Sequence, residues 1–119
     1  MSVQTVEHML GWVERHLEEE PTLEGMAASV GYSACYCSAK FHEYVGISFK
    51  EYLARRRLSC AAADLGQPGC RILDVAVRWG FSSHEAFTRA FSRAYGLTPG
   101  QYRQSFPTLP GFERPENLE

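Results

Sequence analysis

The sequence predicts an all-α protein with two helix-turn-helix subdomains joined by a long linker helix, about seven helices in all. Three observations carry this prediction. Apolar residues recur at three- and four-residue spacing in short stretches. Ser or Thr precedes most of these stretches, and Gly or Pro follows them. The pattern of the first half also returns about 50 residues later.

The composition is that of a globular protein with limited core volume. The chain has 119 residues, of which 45% are hydrophobic and 22% are charged. This is enough for one core, or for two small cores that share a helix. No apolar run is long enough to cross a bilayer, and the N-terminus lacks the pattern of a secretory signal. We therefore expect a cytoplasmic protein without a membrane partner.

The N-terminal stretch predicts an amphipathic helix over residues 3–18 with a structural role. Its apolar positions follow helical spacing, Ser2 can cap it and Pro21 ends it. The apolar residues are Val3, Val6, Leu10, Val13 and Leu17. His8 and His16 lie outside this stripe, and we expect both to be exposed.

Two short helices with a tight turn between them predict the first helix-turn-helix unit. Thr22 caps the first helix and Gly31 ends it, while Ser33 caps the second. The buried positions predicted in these helices are Leu23, Met26, Ala27, Val30, Tyr36, Cys37, Phe41 and Val45. Such a pair of helices is the unit that DNA-binding helix-turn-helix proteins use.

A longer helix follows, from a capping box at Ser48 and Glu51 to about Leu65. Its predicted apolar positions are Tyr52, Leu53, Leu58, Ala61, Ala62 and Leu65. At about 1.5 Å per residue it spans roughly 27 Å, somewhat less than the roughly 34 Å repeat of DNA. It can therefore connect two groove-reading units.

The second unit combines a short helix ending at Trp79 and Gly80 with a helix whose outer face is rich in polar and charged side chains. Ser82 has Glu85 three residues on, which is capping-box spacing, although Ser83 can cap as well. The apolar stripe of this helix is Phe87, Phe91 and Tyr95, and the predicted outer face is His84, Glu85, Thr88, Arg89 and Ser92. Gly96 ends it, and Thr98 and Pro99 begin the last helix.

Matching residues in the two halves indicate an internal repeat. Gly31 and Gly80 are 49 residues apart, whereas Phe41 and Phe91, Gly46 and Gly96, and Tyr52 and Tyr102 are each 50 apart. The extra serine in the second turn accounts for the difference of one. The sequence therefore predicts two copies of one supersecondary unit.

Charge is distributed unevenly along the chain. The formal net charge is -2, yet six acidic and ten basic side chains lie between Pro21 and Phe106. The ends are therefore acidic and the middle is basic, which allows a phosphate-facing surface of modest strength.

The four cysteines are Cys35, Cys37, Cys60 and Cys70, and none of their spacings is that of a zinc site. We expect no metal and no cofactor. Small, partly buried thiols in a reducing compartment are the simpler interpretation. A thiol-responsive regulator using Cys35 or Cys37 is the alternative.

These features divide the chain into four predicted segments. Residues 1–47 form the N-terminal helix and first helix-turn-helix, residues 48–66 the linker helix, and residues 67–106 the second helix-turn-helix. Residues 107–119 form an extended tail, or the start of a linker towards an effector domain that is absent from this chain.

The second half resembles the signature of the AraC/XylS family of bacterial transcription regulators. The matching motifs are I-x-x-V-A-x-x-x-G-F from Ile72, F-x-x-x-F from Phe87 and G-x-T-P-x-x-Y-R from Gly96. The stretches LEGMAASVGYSACYCSAKF and GISFKEYLARRRLSCAAADL resemble the first motif and linker helix of the same family. The resemblance covers roughly residues 5–106.

This resemblance implies two recognition helices that enter successive major-groove segments of double-stranded DNA. It also implies an activator, often one that contacts RNA polymerase, working as a single chain on an asymmetric site. Base-reading positions transfer to His84, Glu85, Thr88 and Arg89, and to Cys35, Ser38, Ala39 and His42. Ser33, Lys40, Ser83 and Ser92 are the candidates for contacts to the DNA backbone.

The two predicted reading faces are unequally equipped. Arg89 can fork onto guanine, Glu85 can accept from cytosine, and Thr88 can touch a thymine methyl or a phosphate. The first face has Ala39 where many members of the family carry arginine, and Cys35 and Ser38 are short. We therefore expect sequence discrimination to rest mainly on the second unit.

The sequence is also compatible with two other classes of function. One is a helical protein-interaction module with weak DNA contact, and the other is the thiol-responsive regulator. We expect no enzyme, because no nucleophile is paired with a base and no glycine-rich loop could cradle a phosphate.

Overall fold

The computed structural model describes residues 3–104, and within this range every regular element is helical. The predicted all-α class with seven helices is confirmed. The helices are α1 (Val3–Arg15), α2 (Leu23–Val30), α3 (Ala34–Val45), α4 (Phe49–Leu65), α5 (Ile72–Arg78), α6 (His84–Tyr95) and α7 (Pro99–Gln104). The proposed cap Ser2 and the predicted tail 107–119 lie outside the described residues. From Val3 to Gln104, every helix is too short or too polar to cross a membrane.

The described residues divide into two compact units, with the boundary inside α4 between Arg56 and Arg57. Each unit contains one helix-turn-helix: α2 and α3 in the first, α5 and α6 in the second.

The first unit is built on α1, which ends earlier than predicted. Val6, Leu10 and Val13 are buried as expected, but the helix stops at Arg15 and a 3-10 helix, Leu17–Glu19, follows. His16 is half-buried rather than exposed, because its ring stacks on Trp12 at 4.3 Å and its Nδ1 lies 2.6 Å from the Trp12 carbonyl oxygen. The regular helix thus ends six residues ahead of Pro21.

The helix-turn-helix of the first unit has the predicted caps. The Gly25 N–H donates to Thr22 Oγ1 at 3.0 Å, and the Tyr36 N–H donates to Ser33 Oγ at 3.2 Å. Gly31 ends α2 with a φ of 79°, in the left-handed region that favours glycine. Gly31 and Ser33 thus specify where α2 ends and α3 begins.

One residue of α3 that was predicted to be buried is exposed. Cys37 and Phe41 are buried, but Tyr36 is 36% exposed. A helix turns about 100° per residue, so the position before Cys37 points away from the stripe that Cys37 and Phe41 form. The Tyr36 ring packs against Tyr32 on the surface instead, with centroids 5.3 Å apart.

The start of α4 is attached to α1 by a polar cluster. Tyr52 is fully buried and its hydroxyl donates to Glu14 Oε2 at 2.9 Å. Arg56 also donates to the Glu14 carboxylate, through Nε at 2.9 Å and through a terminal nitrogen at 2.8 Å. A forked guanidinium–carboxylate pair fixes geometry better than a single contact does.

The second unit has an analogous polar attachment between α4 and α5. Asp64 Oδ2 accepts from the Trp79 indole Nε1 at 2.8 Å and from Arg78 at 2.9 Å. Val75, Ala76, Phe87 and Phe91 provide the buried residues of this helix pair.

The predicted repeat is visible in the geometry inside each unit. Phe41 packs on Tyr52 with centroids 5.5 Å apart, and Phe91 packs on Tyr102 at 5.6 Å. The four glycines that end the paired helices all have positive φ: 79° at Gly31, 83° at Gly80, 93° at Gly46 and 77° at Gly96. Both copies therefore place positive-φ glycines after the same helices and use the same aromatic pair.

Candidate nucleic-acid interface

The cap of α6 is one residue later than the predicted capping box. Ser83, not Ser82, is the N-cap: its Oγ accepts from the Ala86 N–H at 3.0 Å. Ser82 is the residue that lengthens this turn relative to the turn before α3. The helix consequently begins at His84, which places His84 and Glu85 in its first turn.

The outer face of α6 presents three of the four predicted base-reading side chains. His84, Glu85 and Arg89 are exposed, while Phe87 and Phe91 on the other side are fully buried. Among residues 3–104, no hydrogen bond or ion pair engages the side chain of Glu85 or Arg89. The carboxylate and the guanidinium are therefore available to an external partner.

Thr88 is placed differently from the prediction. Its side chain is half-buried, and its buried Oγ1 has no hydrogen-bond partner among residues 3–104. Position 88 lies about 100° around the helix from Phe87, so it borders the core stripe rather than opposing it. The exposed part of the side chain is hydrocarbon, which suits a thymine methyl better than a phosphate.

A basic side chain that sequence reasoning missed extends this face. Arg93 is exposed one turn after Arg89, and it too has no ion pair within the described range. The four-residue spacing from Arg89 was the available signal. The predicted backbone contacts are less accessible: Ser83 and Ser92 are half-buried, and the Ser83 hydroxyl serves as the cap.

The outer face of α3 presents the predicted residues, but few of them have groups that could form hydrogen bonds with a base. Cys35, Ser38, Ala39 and His42 are all exposed. An open concavity of about 610 Å³ lies along this face, lined by Ser38, Ala39, His42, Glu43, Gly46 and Ser48. Ala39 stands at the position equivalent to Arg89 of α6.

The predicted backbone contacts of the first unit are already engaged within the protein. Lys40 Nζ lies 3.0 Å from Glu43 Oε2 and 5.8 Å from the centroid of the Tyr36 ring. The hydrogen bond and charge of Glu43 raise the pKa of Lys40 above its ordinary value. The Ser33 hydroxyl accepts the capping bond of α3. Neither Glu43 nor Tyr36 was among the predicted site residues.

The cysteines separate into unlike environments. Cys35 is exposed, whereas Cys37 is buried and burial raises the pKa of its thiol. Cys37 is therefore the less suitable of the two cysteines for the alternative role of a responsive thiol, because reactivity requires an accessible thiolate. In the part of the chain that the structure describes, no three His, Cys, Asp or Glu side chains are grouped closely enough to hold a metal ion.

The two units have opposite net charge. Residues 3–56 contain eight acidic and five basic side chains, whereas residues 57–104 contain three acidic and six basic ones. Formal charges of -3 and +3 follow. The predicted basic middle of the chain is thus concentrated in the second unit, which is the better suited of the two to a polyanion.

A family model described as a helix-turn-helix domain matches residues 26–105. The right origin-binding protein of Escherichia coli is 36% identical over 100 residues, covering 84% of this chain and 35% of that protein. The probable transcription factor PqrA of Proteus vulgaris is 34% identical over 107 residues, covering 88% of each. The transcriptional activator AarP of Providencia stuartii is 30% identical over 100 residues, covering 84% of this chain and 74% of AarP.

Solved structures are similar over the same region. The DNA-binding domain of AdpA, a global transcriptional factor crystallised with a target DNA, has a TM-score of 0.76 and 27% identity. The match covers 85% of this chain and 91% of that domain. The chain spans about a third of the length of the right origin-binding protein.

Proposed function

Because the chain belongs to the AraC/XylS family of helix-turn-helix transcription regulators, we propose that it binds double-stranded DNA sequence-specifically and reads bases mainly with α6. The family model begins inside α2, at residue 26, and includes all of α3, α5 and α6. In helix-turn-helix proteins the second helix of each pair enters the major groove. The two recognition helices are accordingly α3 and α6.

The outer face of α6 is the single observation that carries this proposal. Arg89 can donate two parallel hydrogen bonds to the O6 and N7 of guanine, and Glu85 can accept from the N4 of cytosine. His84 adds a donor or an acceptor in the first turn. Within residues 3–104, neither Arg89 nor Glu85 has to leave an intramolecular partner before it meets a base edge.

We assign α3 the smaller share of base reading. Cys35 and Ala39 can touch thymine methyl groups, and Ser38 and His42 can form single hydrogen bonds. The base-reading face of α3 has no arginine that could form two parallel hydrogen bonds to one base, as Arg89 can. The protein-interaction alternative is less well supported, because the relatives of the chain are transcription regulators.

Membership of the family supports a proposal for how the protein works in the cell. We propose a cytoplasmic activator that binds DNA as a monomer and contacts RNA polymerase, with α3 and α6 in successive major-groove segments. Residues 1–47 and 67–106 are the two reading segments, and residues 48–66 are the linker between them. The similarity to the activator AarP supports this proposal.

The test begins with selection of bound sites from random-sequence duplexes. Arg89→Ala should weaken binding to the selected site by about 1–3 kcal/mol and remove discrimination at one base pair. Arg71→Ala is the matched control, because Arg71 is an exposed arginine of the same unit outside α6. Arg71→Ala should weaken binding to all duplexes by the same factor. An Arg89→Ala variant that also loses the same factor on every duplex would contradict direct readout.

A further inference from the structure

Three residues form a row along α3, beside the predicted base-reading stripe. Tyr36, Lys40 and Glu43 follow one another at four- and three-residue spacing, so they share one side of the helix. Lys40 and Glu43 form an ion pair of 3.0 Å, with side chains 31% and 60% exposed. The row is thus a surface feature and not part of the core.

A recognition helix fills the groove that it enters. A helix with its side chains is about 10–12 Å across and the major groove is about 12 Å wide. When one side of the helix meets the bases, its flanks therefore face the sugar-phosphate backbones. A lysine on a flank binds a phosphate, whereas a carboxylate there is repelled by it.

The second unit has the opposite charge at the equivalent position. Counting 50 residues on, Tyr36, Lys40 and Glu43 correspond to Ala86, Ala90 and Arg93. Arg93 is exposed and, within the described part of the chain, has no ion pair. Two copies of one scaffold thus present a cation in one case and a paired carboxylate in the other.

We infer that Glu43 limits the affinity of the first unit for DNA by holding Lys40 and by presenting a negative charge to the phosphate backbone. This inference rests on the proposed function, since it requires α3 to lie in the groove. The pair is neutral as a whole, so the row contributes little to backbone binding. More of the affinity for the phosphate backbone is then left to the second unit.

Removing the charge of Glu43 and removing the charge of Lys40 should change the affinity for DNA in opposite directions. Glu43→Gln releases Lys40 for a phosphate and should tighten binding by about fivefold at 0.1 M salt, with a salt dependence steeper by about 0.9. Lys40→Gln leaves Glu43 unpaired and should weaken binding by a similar factor. The double variant should bind within about twofold of the unchanged protein, because both charges are gone.

The measurements are made on the 119-residue chain, by titration of its selected duplex over a range of salt concentrations. Glu43→Arg, which introduces the type of residue found at the equivalent position of α6, should tighten binding more than Glu43→Gln does. Glu19→Gln is the control: it removes the same charge from an exposed residue of the same unit, outside α3. It should change affinity by less than about 1.5-fold, because Glu19 lies outside the recognition helix and salt screens exposed charges that are distant from the phosphates.

The outcomes separate this inference from the proposed function. If the unchanged protein binds its duplex and Arg89→Ala weakens it, but all Lys40 and Glu43 variants bind alike, the inference is wrong and the function stands. Equal effects of Glu19→Gln and Glu43→Gln would also overturn it, because net charge alone would then explain the gain. If no duplex is bound at all, the proposed function fails first.

Discussion

Replacing Thr88 with valine tests how the recognition helix is arranged. Thr88 Oγ1 is buried and has no hydrogen-bond partner in the described part of the chain, and such a group costs about 1–3 kcal/mol of stability. Valine has the same shape without that hydroxyl, and its helix propensity is similar. Because the side chain is only half-buried, we expect the low end of this range. Thr88→Val should therefore stabilise the protein by about 1 kcal/mol, which raises Tm by roughly 4 °C.

The same variant separates two kinds of DNA contact. If Thr88 meets DNA through its hydrocarbon part, Thr88→Val should bind the selected duplex within about twofold of the unchanged protein. Thr88→Ser keeps the hydroxyl and loses one methyl group, so its affinity should fall by up to about fourfold. Thermal unfolding followed by circular dichroism and fluorescence anisotropy with a labelled duplex measure the two quantities. Lower stability and lost binding in Thr88→Val would refute the buried-hydroxyl arrangement.

Three further predictions follow from the local contacts. Ser83→Ala should cost about 1 kcal/mol in urea unfolding, whereas Ser82→Ala should cost little, because only Ser83 caps α6. Glu14→Ala should cost about 2–4 kcal/mol in the same assay, since it leaves a partly buried arginine and a buried tyrosine hydroxyl without their acceptor. Thiol labelling should modify Cys35 readily. Labelling of Cys37 should require a higher pH, because burial raises the pKa of its thiol.

The elements of the fold were predictable because their signals are local. Single residues such as Thr22, Ser33, Gly31 and Gly96 satisfy or terminate a helix end, so their meaning does not depend on distant contacts. The repeat was predictable for the same reason. Where two serines competed for one cap, the spacing of Glu85 favoured Ser82, but the turn geometry selects Ser83.

Side-chain partners were less predictable because they depend on packing between helices. Tyr36 looked like a core aromatic, yet the angle between it and Cys37 places it on the surface. The hydrogen bonds of Glu14 with Tyr52 and Arg56 join residues about 40 positions apart, and no local sequence pattern predicts them. The Lys40 and Glu43 pair was readable from its three-residue spacing, but its effect on the interface becomes apparent only when α3 is compared with α6.

The central claim is that base reading rests on the second unit. The most direct measurement is the binding free energy of every single-base-pair variant of the selected duplex. Penalties of about 1–3 kcal/mol per mismatch should fall within one block of base pairs, and Arg89→Ala should abolish one of them. Two blocks with equal penalties, or a block that Arg89→Ala leaves intact, would contradict the claim.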